Sequence, residues 1–163
     1  CILVENELNM TDIIPPENKE LLAHILRGAE EQIAHVVNVQ EKVAQLPQLD
    51  IPVFNYFAPN IYMRQMDAKA GTLMVTKMHK TEHFLIILKG SASVLDNGEL
   101  VHFEAPQIIK TKVGTKRVIY FHDDSSWLTA HPTTETDLGV IEEQLIVPEH
   151  EINQFLKSIE VSV

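Results

Sequence analysis

The spacing of hydrophobic and polar positions changes along the chain and divides it into four segments. Residues 1–16 predict an extended arm that ends at Pro15 and Pro16. Over residues 17–46 apolar side chains recur three and four positions apart, a period that predicts an amphipathic helix. The seam consists of Leu22, Ile25, Ala29, Gln32, Val36, Val39, Val43 and Leu46. Such a helix either packs on its own domain or pairs with other copies in a coiled coil.

From residue 47 to residue 133 the pattern is that of short β-strands. Nine runs predict strands: Val53–Phe57, Ile61–Met66, Gly71–Met78, Phe84–Leu88, Ala92–Leu95, Glu99–Phe103, Gln107–Thr111, Arg117–Phe121 and Ser126–His131. Asn97 and Gly98 indicate a hairpin, because this pair tolerates the positive φ angles of a tight turn. Many short strands with frequent turns are typical of an all-β sandwich or barrel.

Residues 134–163 return to a helical period and predict a C-terminal extension of short helices. Thr134 and Asp137 have the spacing of a helix start signal. Pro148 interrupts the period, so a second short helix is expected over Glu149–Ile159. The predicted fold class is therefore mainly β, with a long N-terminal helix and short C-terminal helices around one barrel.

Three histidines are the predicted metal ligands: His79, His83 and His131. Strand alternation would place Lys77 and His79 on one face of a strand, and His83 begins the next strand. Imidazoles on both sides of a turn could bind one metal ion, which holds nitrogen ligands at about 2.0–2.1 Å. His131 would complete a site of three imidazoles with an open position. The alternative is that His79 and His83 are hydrogen-bonded residues of a polar pocket.

Lys77, Arg117, His122 and Trp127 are the predicted ligand-binding residues of the same pocket. A guanidinium cannot ligate a metal ion, but it binds a carboxylate or phosphate through two parallel hydrogen bonds. Lys77 adds a second positive charge, His122 ends the strand that precedes Trp127, and Trp127 is expected in the pocket wall. The set predicts a small anionic ligand.

The charge and composition exclude several classes of function. The 163 residues carry a formal net charge of −10, which argues against nucleic acid as a partner because phosphate contacts need a basic surface. Apolar runs are shorter than the roughly 20 residues of a membrane span. Glu5 and Glu7 replace the basic start of a signal peptide, so we expect a soluble protein without one. The single cysteine forms no internal disulfide.

Two spacings resemble the motifs of the cupin superfamily. The first comprises Lys77, His79 and His83 between Gly71 and Gly90, and the second runs from Gly114 to Arg117. With Trp127, His131-Pro-Thr and Glu135-Thr-Asp137, the chain is similar to small cupin proteins that tailed bacteriophages and prophages encode. The resemblance implies a single jelly-roll barrel with its site inside. In the family the positions of Lys77 and Arg117 usually hold histidine and that of His83 usually holds glutamate, so the departures fall on metal ligands.

Two functions are consistent with these patterns. The first is a phage-type cupin protein whose barrel binds a divalent metal (Zn, Fe, Mn or Ni), a small anionic ligand, or both, with catalysis left open. The second is a non-catalytic structural protein of a virion or another assembly, with the barrel and N-terminal helix in symmetric contacts. The expected partners are further copies of the chain and phage structural proteins. The resemblance places the protein in the host cytoplasm or the virion.

Overall fold

A computed structural model describes residues 32–96 and 98–160 of the chain. Its strands are β1 (Val53–Ala58), β2 (Ile61–Ala68), β3 (Leu73–Val75), β4 (His83–Lys89), β5 (Ser91–Asp96), β6 (Glu99–Glu104), β7 (Gln107–Thr111), β8 (Val118–Phe121) and β9 (Ser125–Pro132). The helices are α1 (Gln32–Val43), α2 (Leu138–Leu145) and α3 (Ile152–Glu160), with a 3-10 turn at Glu149–Glu151 before α3. Among these helices none is long and apolar enough to cross a membrane.

The strands form two antiparallel sheets that we name sheet A and sheet B. Sheet A has the order β1-β2-β9-β4-β7, and sheet B has the order β3-β8-β5-β6. Strand β2 pairs with β9, β3 with β8, β4 with β7 and β5 with β6, so the first half of the barrel folds back along the second half. An antiparallel hairpin wound over two sheets in this order is a jelly roll. The predicted mainly β jelly-roll fold is confirmed.

The inner faces of the two sheets enclose an apolar core. Ile87 and Trp127 face inward from sheet A, and Val94, Phe103 and Phe121 face them from sheet B. The Trp127 ring meets the Phe121 ring edge-on, at a centroid distance of 5.1 Å. Neighbouring residues of a strand point to opposite faces of the sheet. Polar side chains that point into the barrel near its mouth must therefore lie on the same inward-facing side of their strands as these core residues.

Helix α1 covers the outer face of sheet B. Val36 and Val39 are buried there and pack against Leu95, Val118 and Tyr120. This part of the predicted seam therefore packs on its own barrel, which favours that alternative over the coiled coil. The predicted arm over residues 1–16, the part of the predicted helix before residue 32, and residues 97 and 161–163 lie outside the described residues.

The C-terminal extension contains the expected helices and lies across the barrel mouth. Helix α2 begins after Asp137, whose Oδ1 accepts the Val140 amide at 3.0 Å, so the cap is Asp137 rather than Thr134. Its apolar side packs Ile141 and Leu145 against Tyr62 of the barrel. Burial of this face, rather than the start signal, thus determines where the helix lies.

Candidate metal centre

Three histidines from separate segments meet inside the barrel. His83 opens β4 and His131 lies on the neighbouring β9, and both side chains are buried. The ring centroids of His83 and His131 are 4.5 Å apart, and the His79 ring is 4.2 Å from His83 and 5.2 Å from His131. One ring nitrogen from each histidine lies within 4.8 Å of the other two. The structure brings the three predicted ligands together.

His79 reaches this cluster from an irregular segment, which the strand pattern did not predict. The strand expected over Gly71–Met78 ends at Val75, so Lys77 and His79 do not share one continuous strand face. Instead the His79 carbonyl accepts the Gly114 amide at 3.0 Å, and His79 forms an isolated β-bridge with Ile146. Contacts with distant parts of the chain therefore fix this histidine.

Burial keeps the three imidazoles neutral at neutral pH. Burial, followed by the neighbouring His83 and His131, lowers the pKa of His79 from 6.5 to about 3. Burial and the adjacent His83 lower the pKa of His131 to about 4. Burial also lowers the pKa of His83, although the Thr81 carbonyl opposes this shift. A neutral imidazole offers the lone pair that a metal ion requires.

The donor set fits a divalent transition metal. The Nδ1 atom of His83 lies 3.4 Å from the Thr81 carbonyl oxygen, which favours a proton on Nδ1 and leaves Nε2 as the donor. The Nδ1 atom of His131 is buried and has no hydrogen-bond partner within residues 32–96 and 98–160. In tetrahedral zinc sites with Zn–N distances near 2.1 Å the ligand nitrogens lie about 3.4 Å apart. The three ring nitrogens of this cluster lie within 4.8 Å of one another, which is close to that spacing.

The cluster borders a cavity of about 510 Å³, and three of the four predicted ligand-binding residues line it. Lys77 lies at its rim and forms an ion pair with Glu142 of α2. Arg117 is buried, and its Nη2 lies 2.9 Å from the Asp96 carboxylate while its Nη1 donates to the Thr111 hydroxyl at 3.0 Å. Trp127 is buried, and among the described residues its Nε1 donor has no hydrogen-bond partner. Both predicted cations are therefore already neutralised by carboxylates.

His122 does not belong to the cavity. It follows β8 with the same alternation as Tyr120, on the outer face of sheet B, whereas Phe121 points inward. Its Nε2 lies 2.7 Å from the Ser93 hydroxyl, and its ring lies 5.8 Å from that of His102. The structure therefore does not bring His122 together with Lys77, Arg117 and Trp127, because the strand parity places it on the opposite side of the sheet.

Arg64 is a cavity residue that the sequence reasoning missed. It lies on β2 between Tyr62 and Met66, and all three line the cavity. The positive charge of Arg64 contributes to the lowered pKa of both His79 and His131, which shows that it lies near the cluster. The available signal was the inward alternation of positions 62, 64 and 66, but polar residues on both faces of β2 obscured it.

The chain matches no protein-family model, and no curated protein sequence matches it. Among solved structures it is similar to a cupin superfamily protein from Desulfitobacterium hafniense, with 8% identity, 54% of this chain and 82% of that chain covered, and a TM-score of 0.45.

Two further solved structures are similar to parts of this chain. One is a cupin-2 domain containing protein from Shewanella frigidimarina, with 9% identity, coverage of 58% of this chain and 91% of that chain, and a TM-score of 0.42. The other is an acetylacetone dioxygenase from Acinetobacter johnsonii, with 14% identity, coverage of 53% and 66%, and a TM-score of 0.43. The jelly-roll assignment follows from the strand order of this chain itself.

Proposed function

We propose that the barrel binds one divalent metal ion through His79, His83 and His131. The observation that carries this proposal is the convergence of one nitrogen from each ring within 4.8 Å, at the wall of a cavity large enough for a small ligand. Three imidazoles leave coordination positions open, as in catalytic rather than structural zinc sites. The proposal assigns metal binding and leaves a reaction open.

The ligand chemistry narrows the choice among zinc, iron, manganese and nickel. Imidazole nitrogen suits zinc, iron and nickel, whereas manganese prefers oxygen ligands, and the cluster contains no carboxylate. A bound ion would supply a Lewis acid at the cavity wall. The chain's own contribution is to hold the three imidazoles neutral and oriented, with His83 fixed by the Thr81 carbonyl.

Metal analysis of tag-free protein tests this proposal. After dialysis against each candidate ion and removal of excess, we expect about one ion per chain in the wild type and in His150→Ala, whose histidine is on the surface. The variants His83→Ala and His131→Ala should lose the ion while their far-ultraviolet circular dichroism stays that of the wild type. A wild type that retains no ion, or folded variants with unchanged metal content, would contradict the proposal.

A second function, assembly of identical copies, is favoured by the outer face of sheet A. Large apolar side chains that alternate outward from β1, β2, β4 and β7 are between 42% and 69% exposed there. They are Phe54, Tyr56, Ile61, Phe84, Leu88 and Ile108, which we name the sheet A patch. The strand register places them on one face: Ile86 on β4 is opposite Ile108, and Leu128 on β9 is opposite Ile86.

The area of the sheet A patch indicates a second copy as its occupant. A fully buried aromatic side chain covers about 150–250 Å², so the three half-exposed aromatic and three half-exposed aliphatic side chains together offer on the order of 500 Å². This approaches the roughly 800 Å² that each partner contributes to a standard interface. A twofold dimer pairs the same patch with itself, so one chain supplies both halves of the contact.

Sedimentation equilibrium over a range of concentrations tests the assembly. We expect a dimer for the wild type, a monomer for Ile108→Lys and Leu88→Lys, and a dimer for the control Val140→Lys, which alters an exposed apolar residue of α2. A wild type that is monomeric throughout would contradict the proposal. A place in a virion, with phage structural proteins as partners, is the finer form of this proposal, and its support is the sequence resemblance alone. Co-sedimentation with purified particles would test it.

A further inference from the structure

The charges that line the cavity balance in pairs, with one exception. Lys77 is paired with Glu142 at the rim, and Arg117 is paired with Asp96 below it. Each pair contributes no net charge to the cavity.

The exception is Arg64. Within residues 32–96 and 98–160, no ion pair or side-chain hydrogen bond involves its guanidinium. It is exposed, so water can solvate the charge. In the sheet register Arg64 is opposite Thr129, one inward position from the pair formed by Tyr62 and His131. The free cation therefore lies beside the histidine cluster.

The wall beneath Arg64 is apolar and carries one unsatisfied donor. Met66 of β2 is opposite Trp127 of β9, at the next inward position after Arg64 and Thr129. Leu85 of β4 is opposite Thr129 on the other side of β9 and also lines the cavity. Within the part of the chain that the structure describes, the indole Nε1 of Trp127 has no hydrogen-bond partner. A ligand that fills this volume would need one anionic group and a compact, largely apolar body.

We propose that Arg64 binds the carboxylate of a small organic monocarboxylate, whose body lies in the cavity beside Trp127 and the histidine cluster. A carboxylate matches the planar fork of the guanidinium through two parallel hydrogen bonds. In the metal-free protein the single unpaired positive charge of Arg64 balances a monoanion, whereas a phosphate dianion would leave one negative charge without a partner. This inference rests on the proposed function for its choice of site, but not on the presence of a metal ion.

Titration of metal-free protein with butyrate, butyramide and inorganic phosphate, at constant ionic strength, tests the inference. The readout is the indole N–H resonance of Trp127, which is unambiguous because the chain has a single tryptophan. Three proteins are compared: the wild type, Arg64→Gln and Lys112→Gln. The last removes the same unit of charge from an exposed lysine outside the cavity.

We expect a saturable shift with butyrate in the wild type and in Lys112→Gln, and an affinity about ten- to a hundredfold lower in Arg64→Gln, since the lost hydrogen bonds are to a charged group. Butyramide and phosphate should bind more weakly than butyrate. Absence of saturable butyrate binding to the wild type, equal affinity in Arg64→Gln, or phosphate binding as tight as butyrate would overturn the inference. The metal content of Arg64→Gln should equal that of the wild type, so failure of the metal proposal is measured separately.

Discussion

Replacement of Asp96 by alanine would leave the buried guanidinium of Arg117 without a counter-charge. The side chains of Arg117 and Asp96 are 8% and 17% exposed, and their nearest nitrogen and oxygen are 2.9 Å apart. Removal of one partner of a buried ion pair costs about 3–5 kcal/mol, because the remaining charge stays desolvated. Arg117 would keep its hydrogen bond to Thr111 and its position 5.8 Å from the Phe103 ring centroid. We therefore expect the lower end of the range, about 3 kcal/mol.

Urea unfolding, followed by tryptophan fluorescence and circular dichroism, measures this loss. With an m-value of about 2 kcal/mol per molar urea, the expected loss lowers the unfolding midpoint by about 1.5 M. The control is Lys110→Ala, which breaks an exposed pair with Glu82 at 2.7 Å and should cost no more than about 1 kcal/mol. The double variant Asp96→Ala with Arg117→Met should be more stable than Asp96→Ala alone, because no uncompensated charge remains.

Equal, small losses in Asp96→Ala and Lys110→Ala would refute this reasoning. The buried charge of Arg117 would then be stable without Asp96, and this would support its predicted role as the cation that binds an anionic ligand. A double variant that is less stable than Asp96→Ala would also refute it, since the loss would then come from packing rather than from an unpaired charge.

Two further outcomes follow from the site. In metal-free protein the unfolded chain protonates its histidines below about pH 6.5, while the folded pKa values are about 3 for His79 and about 4 for His131. The histidine contribution to the free energy of unfolding is therefore fully present above that pH and falls as the pH drops towards 4, by up to about 1.4 kcal/mol per pH unit for each histidine. Urea unfolding midpoints measured between pH 7 and 4 should show this slope, and the slope should be smaller in His79→Gln. A midpoint that does not change with pH would contradict the prediction. In the same assay Gly114→Ala should destabilise the protein more than Gly71→Ala. Both glycines have positive φ angles, 77° and 82°, so both substitutions strain the backbone. A Cβ at Gly114 would in addition lie 2.9 Å from Ile159 Cδ1, whereas one at Gly71 meets none of the described atoms within 4 Å. Equal costs would show that the α3 contact contributes nothing.

Local patterns in the sequence predict most strand positions well. The runs at Val53–Phe57 and Gln107–Thr111 match β1 and β7 within one residue. The hairpin prediction holds because Asp96 pairs with Glu99 across the two intervening residues, and Gly98 has a φ of 79°. These features depend on residues that are neighbours in the sequence. A strand is therefore indicated by its period of two, and a hairpin by the two residues of its turn.

Ion-pair partners, and the sheet face on which a side chain lies, depend on distant segments of the chain and could not be predicted in the same way. Asp96 is 21 positions from Arg117, and nothing local indicates that the two are paired. The sequence predicts His122 in the pocket, but its alternation with Tyr120 points it outward. The direction of this alternation is evident only from the structure, in which α1 covers the outer face of sheet B. Arg64 was missed because β2 carries polar residues on both of its faces.

The C-terminal extension connects the metal proposal to the rest of the fold. His83 and His131 lie on paired strands of one sheet, so their relative position is fixed by the barrel. His79 is held by other means: the amide of Val147 donates to the Met78 carbonyl at 2.9 Å, and the amide of Lys80 donates to the Leu145 carbonyl at 2.7 Å. These bonds on both sides of His79 come from the end of α2 and the segment that follows it. Loosening of that helix would displace one of three imidazoles and leave the other two in place. We therefore expect affinity for the proposed ion to depend on the extension.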